Sequence, residues 1–343
     1  MYLQKEINEQ PGVLARFLAE QNENIEAIAA SVREFDPAFV CIAARGTSDN
    51  AARYAQYLFG ARAGLSVGLS APSLHTLYGQ PPDLSRALVI GISQSGQAED
   101  VRRVLDDANA NGGLTISITN DPESPLAQTA KHHIDLLAEE EISIAATKTY
   151  TAQLTAIAAL VTAYADDDEM RENLLALPDA MEQTLTQITH IAHWAERYRY
   201  MNQFVVIGRG YNYATAFEIK LKVKELCYII SDAYSEADFR HGPIAVVGEG
   251  FPVMAVAPKG KTLDNMLDLL AELSERGAEL LVISNDDRAL DSGVKTMRIP
   301  DMPEWLSPVV AVVPGQVFAM NQAIVRGYAV DKPRGLSKVT VTQ

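Results

Sequence analysis

Short apolar runs alternate with stretches of helical periodicity along the whole chain, the pattern of an α/β fold built on parallel sheets. FVCIAARGTS (39–48) is a strand-like run that ends in a glycine turn, and LVIGISQSG (88–96) follows the same logic. A helix-compatible stretch then runs from Glu99 to Asn109, and LTISITND (114–121) reads as the next strand. The second half offers FVVIGRGYN (204–212), FPVMAVAPKG (251–260), a helical stretch from Leu263 to Arg276, and LLVISND (280–286). These are the same elements in the same order. Arg45-Gly46 and Arg209-Gly210 lie 164 positions apart, as do Gly96 and Gly260, and Gly113 and Gly277. Turn chemistry explains glycines where strand meets helix, but a common offset argues for duplication.

Composition narrows the possibilities. The 343 residues correspond to a little over two domains at roughly 150 residues each. A net charge of −15, from 29 basic and 44 acidic residues, repels a nucleic-acid backbone. Cys41 and Cys227 lie in apolar runs without Cys-x-x-Cys spacing, so neither a disulfide framework nor a zinc ribbon is expected. The opening MYLQKEINEQP is too polar for a signal peptide, and no run approaches 18 uninterrupted apolar residues. A cytoplasmic protein with no membrane partner is the expectation. Between the halves, His190 and His193 have metal-compatible spacing but no carboxylate at ligand distance in sequence, and they read as part of a solvated linker helix.

Where the halves differ, chemistry is to be sought. The first carries Thr47 and Ser48 after one strand and Ser93-Gln94-Ser95-Gly96 after another, hydroxyls and N–H groups at the carboxyl edge where parallel sheets bind ligands. Helix N-termini there suit a phosphate, although Ser and Thr are also ordinary N-caps. The second half has Pro258-Lys259-Gly260 at the equivalent place, where proline removes a donor, so phosphate is expected in the first half only. In AFEIKLKVKELCY, Glu218, Lys222 and Glu225 share one helical stripe. That stripe reads either as a charged lining of a cavity, able to move protons, or as an exposed ion-pair ladder. His241 stands before a Gly-Pro turn as a candidate acid/base group, and Lys338 sits in an extended tail that reads as a lid or as a frayed end.

Together ISQSG (92–96), ATKTYTAQL (146–154), KVKELCY (222–228), AYSEADFRHGPIA (233–245) and VDKPRGLSK (330–338) resemble the isomerase half of glucosamine-6-phosphate synthase and its relatives, proteins built from two sugar-isomerase (SIS) domains. The resemblance implies two tandem three-layer αβα domains, each with a mainly parallel, flavodoxin-like sheet. Their expected bounds are 31–168 and 195–330, with an N-terminal helical segment (1–30), a linker helix (169–194) and a tail (331–343). It further implies that Thr47, Ser48, Ser93, Gln94 and Ser95 hold the phosphate and sugar hydroxyls, with Ala146 and Glu218 also at the substrate. Glu225 matches the glutamate that moves a proton between C1 and C2, and Lys222 the lysine one turn earlier. His241 matches the ring-opening histidine, supplied in the family by the neighbouring subunit, so a homodimer is expected. Lys338 matches the tail lysine that approaches the open-chain sugar and can form a Schiff base with a ketose. No metal or organic cofactor is implied.

Departures limit the likeness. The chain passes from Tyr2 straight into the isomerase linker, so no glutaminase domain is expected. Gln97-Ala98 replaces Glu-Thr, Ala146 stands where the synthase has serine, and Arg45 replaces a cysteine. The leading expectation is therefore deamination of glucosamine-6-phosphate to fructose-6-phosphate and ammonia. A fructosamine-6-phosphate deglycase and an ammonia- or partner-dependent synthase are the alternatives within catalysis. A non-catalytic phosphosugar sensor is the alternative outside it.

Overall fold

A computed structural model gives the fold and describes residues 1–338. It divides into two compact units. The first comprises residues 12–141 and 148–175 with Ser337 and Lys338, and the second residues 1–11, 142–147 and 176–336.

The first unit is built on five parallel strands: β1 (Phe39–Ala44), β2 (Val67–Leu69), β3 (Ala87–Ile92), β4 (Leu114–Thr119) and β5 (His132–Asp135). Their order is β2-β1-β3-β4-β5. Every residue of β3 and β4 is buried, because helices cover both faces of the sheet, and this is why these strands are continuous apolar runs instead of alternating ones. On one face Cys41, Ala43, Ala87 and Val89 meet Val101, Val104 and Leu105 of the Glu99–Ala110 helix. The Thr47–Leu58 helix packs on β1 and against the Lys148–Ala165 helix, whose residues 148–163 are all buried.

In the second unit the strands are β6 (Gln203–Gly208), β7 (Ile230–Ser235), β8 (Pro252–Val256), β9 (Glu279–Ser284) and β10 (Lys295–Arg298), again all parallel. Their order, β10-β9-β8-β6-β7, is that of the first sheet when each strand is counted from the start of its own half. The predicted runs thus fall on strands, and the two predicted helices appear as Glu99–Ala110 and Leu263–Glu275. The Ser307–Val325 helix is long and apolar enough to cross a bilayer, yet 78% of its apolar window is buried inside the fold as a core helix. It packs closely on the Asn212–Cys227 helix at Gly315, where a Cβ would come within 2.3 Å of Ile219 Cγ1. Residues 168–198 are helical in four short pieces, and His190 there contacts the carbonyls of Gln187 and Thr296.

Candidate active site

Strand order reverses between β1 and β3, the place where open parallel sheets leave a crevice at their carboxyl edge. Ala44 lies opposite Ile92 in the ladder, so the segments 45–48 and 93–96 leave the sheet side by side. Both turns require glycine. Gly46 has φ 56° as it opens the Thr47–Leu58 helix, and Gly96 has φ 63° with Ser124 Oγ only 2.0 Å from where a Cβ would sit. Ser93 Oγ accepts the Gly96 N–H at 3.2 Å, and Ser95 Oγ accepts the Gln97 N–H at 3.3 Å. A hydroxyl that accepts in this way keeps its own proton to donate, so the loop offers O–H donors to a ligand. Ser48 is buried and accepts from Gln153 Nε2 at 3.0 Å, while Thr47 is the first residue of its helix.

Gln94 leads to a residue that motif reading did not single out. Its Nε2 donates to Glu141 Oε2 at 2.7 Å, and the same oxygen accepts from Thr149 Oγ1 at 2.8 Å and pairs with Lys338 Nζ at 3.1 Å. The Glu141 side chain is fully buried. A buried carboxylate requires such partners, and here they join the β3 loop to the tail lysine.

In the second unit the Glu218–Lys222–Glu225 stripe lies inside the protein, and the exposed-ladder alternative is thereby overturned. Lys222 Nζ lies 2.6 Å from Glu225 Oε2 and 3.3 Å from Glu218 Oε1. The lysine and Glu218 side chains are 1% and 0% exposed, whereas Glu225 keeps 23%. Burial alone would push the Lys222 ammonium down, but the two carboxylates outweigh it and hold its pKa above the ordinary lysine value. Lys222 therefore stands as a cation between the two carboxylates.

The segment equivalent to the β3 loop follows β8, and an internal anion occupies it. The Glu304 carboxylate accepts the Lys261 N–H at 2.9 Å, the Thr262 N–H at 3.4 Å and Thr262 Oγ1 at 2.9 Å, and it lies where a Cβ on Gly260 would fall. These are the donors that a helix N-terminus would otherwise offer to an anion.

Comparison with known proteins decides the family. The SIS domain model matches residues 36–163 and 198–326, most of the chain. The chain belongs to the SIS domain family. Glutamine–fructose-6-phosphate aminotransferase (isomerizing) of Gloeobacter violaceus is 36% identical over 99% of this chain, which spans 58% of that relative's length. The C-terminal domain of glucosamine-fructose-6-phosphate aminotransferase from Francisella tularensis is similar with a TM-score of 0.88, 27% identity, and coverage of 97% of this chain and 98% of that one. Glucosamine-6-phosphate deaminase of Thermotoga maritima matches with a TM-score of 0.79 at 25% identity, covering 100% of both chains.

Within this SIS protein the remaining candidates, His241 and Ala146, belong to the second unit. His241 is exposed beyond the short Glu236–Arg240 helix and borders an open pocket of about 460 Å³ with Arg209, Glu236 and Arg240. Among the described residues its imidazole has no hydrogen bond or ion pair. Ala146 is buried in the 142–147 segment, whose Ile142 and Ser143 N–H groups are held by the buried Glu6 carboxylate. Among the described residues no group of three or more His, Cys, Asp or Glu is arranged to hold a metal ion.

Proposed function

We propose that this SIS protein is an aldose–ketose isomerase of amino-sugar phosphates that works as a deaminase, converting glucosamine-6-phosphate and water to fructose-6-phosphate and ammonia. The observation that carries it is the buried Lys222 paired to a Glu225 that remains partly accessible, an arrangement suited to moving a proton without losing the carboxylate's position. In the proposed reaction Thr47, Ser48, Ser93, Gln94 and Ser95 hold the substrate, with Glu218 and Ala146 completing its surroundings. His241, supplied by a second subunit of a homodimer, opens the ring. Glu225 removes the proton from C2 and returns it to C1, turning the amino aldose into a C2 imine. Water adds to that carbon, the C–N bond breaks, and ammonia leaves. Lys338 approaches the open-chain sugar from the tail. Ring opening, proton transfer, addition of water and loss of ammonia are all steps that acid and base groups assist.

The end-to-end match with the Thermotoga deaminase supports this direction. The 36% identity with the aminotransferase supports the reverse, an ammonia- or partner-dependent synthesis from fructose-6-phosphate, as the second reading. Incubating purified protein with glucosamine-6-phosphate and measuring ammonia and fructose-6-phosphate tests the proposal. Glu225→Gln is expected to abolish turnover while phosphosugar binding persists. Binding without turnover of any amino-sugar phosphate would make the protein a sensor and overturn the enzymatic reading.

A further inference from the structure

We propose that Arg45 is an additional ligand for the substrate's phosphate, an inference that rests on the first unit's loops being the phosphate site. Arg45 leaves β1 immediately before Gly46, beside Ser93 leaving β3. Its Nε donates to Asp100 Oδ2 at 2.7 Å, and that carboxylate is completely buried in the first turn of the helix that follows the Ser93–Gly96 loop. The side chain therefore starts on one loop of the crevice and is pinned on the far side of the other. Half of it remains exposed, 52%. One edge of a guanidinium satisfies Asp100, and the other edge keeps donors in the fork geometry that matches a phosphate.

Two observations separate this from a merely structural ion pair. Ala98, two residues before Asp100, opens the helix with no side-chain cap, so no hydroxyl comes from that position and Arg45 brings donors to the same stretch. In the second unit the equivalent Arg209 pairs with Glu236, which follows β7, the strand on the opposite side of β6 from β8. Arg209 is anchored away from its sheet's point of strand reversal, whereas Arg45 is anchored across its own.

Calorimetric titration of wild type, Arg45→Gln and Arg45→Lys with fructose-6-phosphate and with inorganic phosphate tests the assignment. Arg45→Gln is expected to weaken both ligands about 10- to 100-fold, as for loss of hydrogen bonds to a charged group. Arg45→Lys is expected to recover part of the loss. Should Arg45→Gln fold poorly, the double variant Arg45→Gln with Asp100→Asn removes both charges of the pair and carries the same test. Affinities within about twofold of wild type in the folded variant would overturn the role of Arg45 alone. A wild type that binds neither probe would overturn the phosphate site on which it rests.

Discussion

At the carboxyl edge of the first sheet, the loop after β3 caps itself with its own serines and leaves hydroxyl protons for a ligand. At the same edge of the second, the loop after β8 spends its N–H groups on Glu304. The sheets share one strand order, so the scaffold does not explain the difference. Side chains on the loops and on the helix after the first strand of each half explain it. Thr47–Leu58 begins with hydroxyls at the edge, whereas Asn212–Cys227 buries Lys222 between two carboxylates. Under the proposed function the duplicated fold divides binding from proton transfer, because each copy need keep only one of the two devices.

The sharpest way to break that division is to compare Glu225→Gln with the double change Ser93→Ala and Ser95→Ala. The first is expected to lower kcat by about 10²- to 10⁴-fold with KM nearly unchanged, as for loss of a positioned proton-transfer group. The second is expected to raise KM by about tenfold or more while kcat at saturation survives. Steady-state kinetics on glucosamine-6-phosphate checks both, and the opposite assignment of kcat and KM effects would end the division.

Lys222→Met sharpens it from the side of stability. Removing the ammonium leaves two carboxylates without their shared cation, and breaking such a buried pair costs about 3–5 kcal/mol. The sign of its pH dependence follows from a folded pKa above the unfolded one. Stability from Lys222 is fully present below the unfolded lysine pKa and is lost only as pH rises through the folded value. Denaturant unfolding should therefore show a deficit for Lys222→Met throughout roughly pH 6 to 9, a window that lies below lysine's ordinary pKa of about 10.4. A deficit that vanished within that window would contradict the ion-pair account.

A smaller effect is expected at Glu304. Glu304→Ala frees the Lys261 and Thr262 N–H groups and is expected to cost about 1–3 kcal/mol. Inorganic phosphate should then raise the melting temperature of this variant more than that of wild type, in a background where Ser93→Ala and Ser95→Ala silence the first loop. Equal shifts would mean that the second edge has no latent anion site.

Much of the architecture was legible because a parallel strand covered on both faces must be apolar throughout, and its glycine turns mark the edge where it ends. The Glu218–Lys222–Glu225 stripe was legible as spacing but not as burial, since the same periodicity serves a solvated ladder and a buried triad. The burial of Glu218 and Lys222 in the folded chain distinguishes them. Glu141 was illegible for two reasons. It closes a run of three glutamates that reads as surface, and its partners Gln94 and Lys338 are 47 and 197 positions away. Arg45 stood out as a departure from the family pattern, but its meaning depends on Asp100, a residue that local sequence gives no reason to pair with it.

The smallest expected effect again compares the halves, through their two thiols. Cys41 lies in β1 and is 8% exposed, while Cys227 ends the Asn212–Cys227 helix at 1% and donates to the Ala319 carbonyl at 3.2 Å. Burial raises the pKa of both. For Cys41 a hydrogen bond with Ser70 works against the rise, whereas the Cys227 thiol is pushed up to about 12. Since the thiolate is the reacting form, a maleimide should label native protein slowly, at Cys41 before Cys227, and both sites should react promptly only after denaturation. Mass spectrometry of the time course reads the order. Cys227 labelling first in the native state would show that the second half opens more readily than the first, reversing the expectation that the helix carrying the buried triad is the better protected element.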